Sequence, residues 1–334
     1  MIISRTPFRV SLFGGGTDYP AWYLDHGGAV LGTTINKYCY ISVRALPPFF
    51  EHKHRIVYSK IELPNEIGEI EHPAVRAVLS EMGVTQGFAI SHDGDLPARS
   101  GLGSSSSFTV GLLNALYAYG GIMATKRDLA DQAIRIEQKV IGENVGSQDQ
   151  IWAAYGGLNR IDFHQDGSFE VTPIILKEER KNEFQASLML FFTGFSRYAS
   201  EVAKQKIANF RKRESHLKTM CSMVDDAICA LQNNNHSLNE IGHLLHESWM
   251  LKRELAEQVT SSEIDEIYEA GREAGALGGK IIGAGGGGFM LFYVEPHNQA
   301  RVRERLKDLI NVTFEIRSAG SKIVVYEPNG LHMS

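Results

Sequence analysis

The sequence predicts an α+β protein of two domains, on three observations. Its 334 residues are about twice the length of a typical domain. The first half alternates short runs of β-branched or aromatic residues with helical periodicities, and the second half sets a long helix-rich section among strands. Hydrophobic residues make up 43% and charged residues 22%, which excludes a disordered chain and a fibrous repeat. Lys plus Arg number 34 against 39 Asp plus Glu, a net charge of −5 with no long run of one sign, so no nucleic-acid partner is expected. No apolar stretch nears the roughly 18 residues that span a bilayer. The N-terminus, MIISRTPFRV, lacks a secretory apolar region, and the sequence predicts a cytoplasmic protein with no membrane partner. Cys39, Cys221 and Cys229 are an odd number without CxxC or metal-ligand spacing, and reduced thiols are expected.

In the first domain, residues 1–180, a strand is expected in the Arg5–Phe13 region, followed by strands at Gly28–Thr34, Tyr38–Val43, Gly87–His92 and Leu158–Phe163. Helices are expected at His72–Met82, Ser104–Tyr119 and Lys126–Ile141; in the last, Leu129, Ala133, Ile136 and Val140 recur at helical spacing. The polar stretch Lys177–Gln185 separates the halves. The second domain, residues 186–330, opens with a strand at Ala186–Phe192 and runs through helices from about Arg197 to Ala274. It closes with Lys280–Ile282, Phe289–Val294, a helix at Asn298–Leu309 and two final strands.

The 33 glycines gather in three places, and glycine clusters let a backbone approach phosphate or sugar oxygens closely. The most informative is Leu96-Pro97-Ala98-Arg99-Ser100-Gly101-Leu102-Gly103-Ser104-Ser105-Ser106-Ser107, between a strand and an amphipathic helix. It reads as a phosphate cradle in which Ser104 caps a helix whose first N–H groups and dipole face an anion. A plain Gly/Ser turn is the structural alternative. The segment is not a P-loop, because Gly279-Lys280 has Ala274 where the first glycine belongs. Nor is it the dinucleotide fingerprint, since Ser106 replaces the third glycine. The second cluster, Gly14-Gly15-Gly16-Thr17-Asp18, ends a strand with a carboxylate suited to sugar hydroxyls, or to an Asx-turn. The third, Gly278 to Gly288, carries four consecutive glycines, costly in conformational entropy for a purely structural segment.

In their order and spacing, the three motifs resemble the GHMP kinases, the family of galactokinase, homoserine kinase, mevalonate kinase and phosphomevalonate kinase. The resemblance covers essentially the whole chain. It implies the two-domain GHMP kinase fold, an N-terminal ribosomal-protein-S5-like α/β domain and a C-terminal ferredoxin-like α+β domain with extra helices. It also implies ATP-dependent phosphorylation of a sugar at its anomeric hydroxyl, with Mg²⁺. Gly14 to Asp18 looks like the branch acting on heptose phosphate and fucose; galactokinases and mevalonate kinases carry Gly-Glu-His near this point. D-glycero-D-manno-heptose 7-phosphate is the first expected substrate, with fucose or another hexose next. A sugar sensor without transfer activity, or a decarboxylase on the same fold, are the alternatives from other classes.

The resemblance directs attention to Glu137 and Asp149, 12 residues apart. Glu137 lies four residues after Ala133 and four before Ile141, at the border of its helix's apolar stripe, where a carboxylate needs a partner such as Mg²⁺. Asp149 stands in the turn Gly146-Ser147-Gln148-Asp149-Gln150, where helix capping is the plain alternative. By similarity, Gly101, Leu102, Gly103, Ser104, Ser105 and Ser106 wrap the triphosphate, and Ser105 with Glu137 holds Mg²⁺. Asp149 takes the proton of the acceptor hydroxyl, and Arg9 balances charge beside it. Gly15, Gly16, Thr17 and Asp18 bind the sugar, and the loop carrying Gly283, Gly285 and Gly286 closes over it. His243 and His246 are expected on an ordinary helix face, and His52 and His54 in a solvated loop. Arg211, Lys212 and Arg213 are expected to face solvent. Arg197, Lys204 and Lys206 are the second domain's candidates for a sugar-phosphate contact.

Overall fold

The computed structural model describes residues 1–98, 100–195, 199–233, 235–317 and 319–328. The chain opens with β1 (Ile2–Phe13), α1 (Pro20–His26), β2 (Gly28–Ala45), β3 (Arg55–Val57), β4 (Ile61–Glu62), α2 (Pro73–Glu81), β5 (Phe88–Gly94) and α3 (Ser104–Tyr119). It continues through α4 (Lys126–Arg135), α5 (Gln148–Tyr155), β6 (Leu158–Phe163), β7 (Phe169–Pro173), α6 (Glu178–Ala186), β8 (Leu188–Phe192), α7 (Ala199–Asn209), α8 (Glu214–Gln232) and α9 (Asn239–Arg253). It ends with α10 (Ser262–Glu273), β9 (Gly278–Ile281), β10 (Phe289–Tyr293), α11 (Gln299–Arg305), β11 (Ile310–Val312), β12 (Ile316–Arg317) and β13 (Lys322–Tyr326).

One sheet runs β13-β1-β2-β5-β3-β4, with β12 and β6 also on β2 and β7 on β6; the other runs β11-β8-β10-β9. The two strands expected over residues 28–43 are a single long β2. It follows β1 along its length, and the register slips at Pro7/Arg9 and Ser11/Phe13 let the ribbon bend without breaking. The polar separator at 177–185 is not a linker but α6, polar because Phe184 is its one buried residue. The helix expected to run from Lys126 to Ile141 changes character at Ile136, becoming a wider π turn through Ile141 that buries Ile136 and Glu137 together. The two final strands, assigned to the second half by sequence, join the first sheet instead. β13 pairs the outer edge of β1 and covers groups that would otherwise be an open strand edge.

The core of the first sheet packs Phe8, Leu113 and Trp152 at full burial, and a second cluster gathers Trp249, Tyr268 and Phe292. Between them, the end of β1, the start of α3, the start of α5 and the loop after β9 converge on one cavity. Trp152 anchors α5 against β2, where a side chain at Gly32 would overlap the indole at 2.8 Å. Trp152→Ala is expected to cost about 3–5 kcal/mol of stability, read by urea unfolding; a loss below about 1 kcal/mol would contradict this packing role.

Candidate active site

Arg9 organises the cavity. It leaves β1 with 4% exposure, and its backbone N–H donates to the Leu102 carbonyl at 3.0 Å. Its guanidinium holds both oxygens of Asp149, each at 2.7 Å, through Nε and Nη2, and Nη1 donates to the Gly101 carbonyl. A bidentate Arg–carboxylate pair fixes orientation as well as charge. Asp149 lies in the first turn of α5, whose start is pinned where the Ser147 N–H donates to the Asp18 carbonyl at 2.8 Å.

The 101–106 turn meets the third glycine motif directly: Gly101 has φ +82°, and a Cβ there would collide with the Ile282 carbonyl. Two motifs far apart in sequence therefore close one wall. Ser104 is not the expected cap. Gly103, left-handed at φ 75°, occupies that position, and Ser104 is the first helical residue. The start of α3 offers its first-turn N–H groups and the positive end of its dipole toward the cavity, which Ser104 and Ser105 line.

On the opposite side, Gly15, Gly16 and Asp18 line the cavity. Asp18 is 1% exposed and accepts from the Gly16 N–H at 2.9 Å. Burial raises its pKa, against the lowering influence of Gly16, Gln148 and Lys206. Gly146 must be glycine here, because a Cβ would overlap the Asp18 carboxylate. Thr17, expected to touch sugar, is turned inward. Its fully buried hydroxyl lies 2.8 Å from the Gly14 carbonyl and 2.9 Å from that of Ala29, and it braces the turn. Leu102, Ser106, Gly285 and Gly286 also stand behind the lining, while Gly283 is part of it.

Glu137 is 1% exposed behind the first turn of α3. One carboxylate oxygen accepts from the Ser106 hydroxyl at 2.8 Å and from the Gln150 amide. The other has no hydrogen-bond partner among the described residues, since the nearby Thr109 hydroxyl donates to the Ser105 carbonyl at 3.1 Å. Burial pushes the Glu137 pKa up to about 7. Ser106 thus pairs with Glu137, and Ser105 faces the cavity.

Three buried lysines complete the lining: Lys206, Lys252 and Lys280. Lys252 donates to the carbonyls of Ile281 and Gly283 at 2.6 and 2.7 Å, and Lys280 to that of Leu12 at 2.7 Å. Burial lowers all three pKa values, to about 7 for Lys280 and about 8 for Lys206. Lys206 is one of the three basic residues expected at a sugar-phosphate contact, and it lines the cavity. Of the others, Lys204 is exposed and Arg197 lies outside the described residues. Lys252 is not among the expected site residues, although it follows Leu245, Ser248 and Trp249 on the buried stripe of α9, and a lysine on such a stripe is itself a signal. Among the residues set aside, His54 is fully buried and accepts from the Phe88 N–H at 3.3 Å, rather than lying in solvent. His246 bonds Tyr268, and no metal cluster occurs among the described residues.

The family description "GHMP kinases N terminal domain" matches residues 69–157, and "GHMP kinases C terminal" matches 226–311. A D-glycero-alpha-D-manno-heptose 7-phosphate kinase of Campylobacter jejuni is 28% identical over 316 residues, 92% of this chain and 93% of that protein. A bifunctional fucokinase/GDP-fucose pyrophosphorylase of Arabidopsis thaliana is 26% identical over 90% of this chain and 31% of its own length. Among solved structures, a D-glycero-D-manno-heptose 1-phosphate kinase from Bacteroides thetaiotaomicron superposes with a TM-score of 0.78 at 24% identity, covering 96% of this chain and 98% of that one. Lactococcus lactis galactokinase complexed with galactose superposes with a TM-score of 0.74 at 20% identity, covering 96% and 94%. The chain belongs to the GHMP kinase family. Within it, the chain is an ATP-dependent carbohydrate kinase with the two-domain fold of that family.

The folded protein binds the Glu137 proton more tightly than the unfolded chain does. Its contribution to stability therefore falls as pH rises from about 4.5 to about 7. Glu137→Gln, nearly isosteric, is expected to exceed the wild type at pH 8 by up to about 3 kcal/mol in urea unfolding of the ligand-free protein, with the gap closing toward pH 4.5. A gap equal at pH 5 and pH 8 would contradict the raised pKa.

Proposed function

We propose that the chain phosphorylates the anomeric C1 hydroxyl of D-glycero-D-manno-heptose 7-phosphate to the 1,7-bisphosphate, with ATP as donor, in the cytoplasm. The observation that carries this reading is the Arg9–Asp149 pair beside the glycine turn, in a cavity that also holds three buried lysines. The name of the Campylobacter relative supplies the sugar. Asp149 accepts the proton of the C1 hydroxyl as that oxygen bonds to the γ-phosphorus. The bond from the γ-phosphorus to the bridging oxygen breaks with its electron pair going to ADP. Arg9 holds the Asp149 oxygens in place and adds positive charge near the phosphoryl group. The 101–106 turn and the start of α3 cradle the phosphates, and Lys252 fixes the Gly283 backbone. Gly15, Gly16 and Asp18 bind the sugar, so that positioning and preorganised charge supply most of the rate.

The residues fit Mg²⁺. Glu137 keeps one buried oxygen without a partner, and Ser105 lines the cavity in front of it. Mg²⁺ asks for few protein ligands when water and phosphate complete its shell. Glu137 and Ser105 would hold it, and when bound it would neutralise charge on the β- and γ-phosphates.

ADP release should be measured from ATP with D-glycero-D-manno-heptose 7-phosphate, the unphosphorylated heptose, L-fucose and D-mannose. Strong turnover with the 7-phosphate alone is expected. Turnover with only a free sugar overturns the substrate, and silence with all four favours a sensor. Asp149→Asn is expected to lower kcat by about 10²- to 10⁴-fold with ATP binding retained; near-normal turnover would remove Asp149 as the base.

A further inference from the structure

The three cavity lysines are not equivalent. Lys252 and Lys280 spend N–H groups on the carbonyls of Ile281, Gly283 and Leu12, and so hold the third glycine motif and the end of β1 in place. Lys206 holds no hydrogen-bond acceptor among the described residues. It is 3% exposed, it lines the cavity, and its Nζ lies 5.4 Å from the centre of the Tyr19 ring. A surface lysine ordinarily runs its stem along apolar groups and keeps its ammonium in water. Here Val202, Ala203 and Phe210, buried on the same face of α7 and just beyond it, keep the stem in the fold, and the ammonium meets the cavity instead. With its stem buried and no protein acceptor, the ammonium keeps its donors for whatever occupies the cavity, and an anion is the best match for them.

All three lysines line the same cavity, but their contacts differ. Lys280 belongs to the segment that touches Gly101 of the phosphate turn, and Lys252 reaches from α9 to donate to that segment's carbonyls. Lys206 belongs to the Asp18–Tyr19 side, where the acceptor binds in the reading above. Asp149 is already matched by Arg9. Asp18 has one oxygen on the Gly16 N–H, and it makes no hydrogen bond to Lys206 among the described residues. Asp18 suits sugar hydroxyls. A phosphate monoester offers Lys206 several acceptor oxygens with charge, where a neutral hydroxyl offers one without.

We infer that Lys206 is a specificity-determining residue whose ammonium receives a phosphate monoester on the acceptor sugar, remote from the reacting hydroxyl. The inference rests on the sugar-phosphate reading above. It is tested by the ratio of kcat/KM for D-glycero-D-manno-heptose 7-phosphate to that for the unphosphorylated heptose, in the wild type, Lys206→Met, Lys206→Gln and Lys206→Arg. The Met and Gln variants are expected to lose on the order of 10- to 100-fold in that ratio, the Arg variant less. A merely structural lysine would lower both substrates together, and an unchanged ratio in either folded neutral variant overturns the inference. If the wild type turns over no sugar phosphate, the substrate reading falls by itself. The lysine is then judged by thermal unfolding of protein saturated with Mg²⁺ and a non-hydrolysable ATP analogue, with inorganic phosphate added. Stabilisation of the wild type but not of Lys206→Gln keeps Lys206 as an anion site; equal shifts, or none, overturn it.

Discussion

The Arg9 guanidinium is the interaction on which the site depends. One planar group joins the end of β1, the phosphate turn and the start of α5, because its donors reach Asp149 twice and the Gly101 carbonyl once. A lysine could not do this, having a point charge in place of a fixed fork. The arrangement also sets the distance between the carboxylate and the glycine turn. Chemistry that works by positioning needs that distance held before any ligand arrives.

Holding it creates an electrostatic burden. Arg9, Lys206, Lys252 and Lys280 crowd around Asp18 and Asp149, and burial presses against the charge of each lysine. Carbonyl acceptors relieve Lys252 and Lys280, and Asp149 relieves Arg9. What remains is a cavity, partly open to solvent, whose charge calls for anions. Glu137 adds the opposite imbalance behind the turn, a carboxylate pushed toward neutrality by its burial. Function and stability pull apart here, as they commonly do where a site is organised for a ligand and not for itself.

The parts of the site readable in sequence are those made by contiguous residues. Gly101, Gly103 and the serines after them announce a helix start, and Asp18 after three glycines announces a carboxylate on a tight turn. The side-chain direction within such a turn is not local: Thr17 is adjacent to Asp18, yet the carbonyls of Gly14 and Ala29 take its hydroxyl into the fold. The cap at Gly103 displaced Ser104 for a related reason, because a left-handed residue was needed before the helix. Glu137 was placed at a helical border by spacing, but its full burial comes from the π turn, which no 3.6-residue periodicity reveals. The lysines were least legible. Their partners lie far along the chain, Lys252 reaching the third glycine motif from α9 and Lys280, within that motif, reaching Leu12 across the whole fold, although Lys206 and Lys252 both sit on apolar stripes where a charge is out of place.

The fold separates two tasks that a sugar kinase must perform. The wall of Gly101 against Ile282, with Arg9, Asp149 and Lys252, is built from backbone contacts and paired charges that leave little freedom. The side of Asp18, Tyr19 and Lys206 is held differently, by one short turn and one helix face, and its groups keep hydrogen-bonding capacity in reserve. Changing a residue there need not disturb the Arg9 fork. That asymmetry gives a physical basis for related proteins of one fold bearing the names of galactose, mevalonate, fucose and heptose kinases. On the proposed reading, the interlocked glycine turns hold the transfer machinery, and a few side chains across the cavity choose the acceptor.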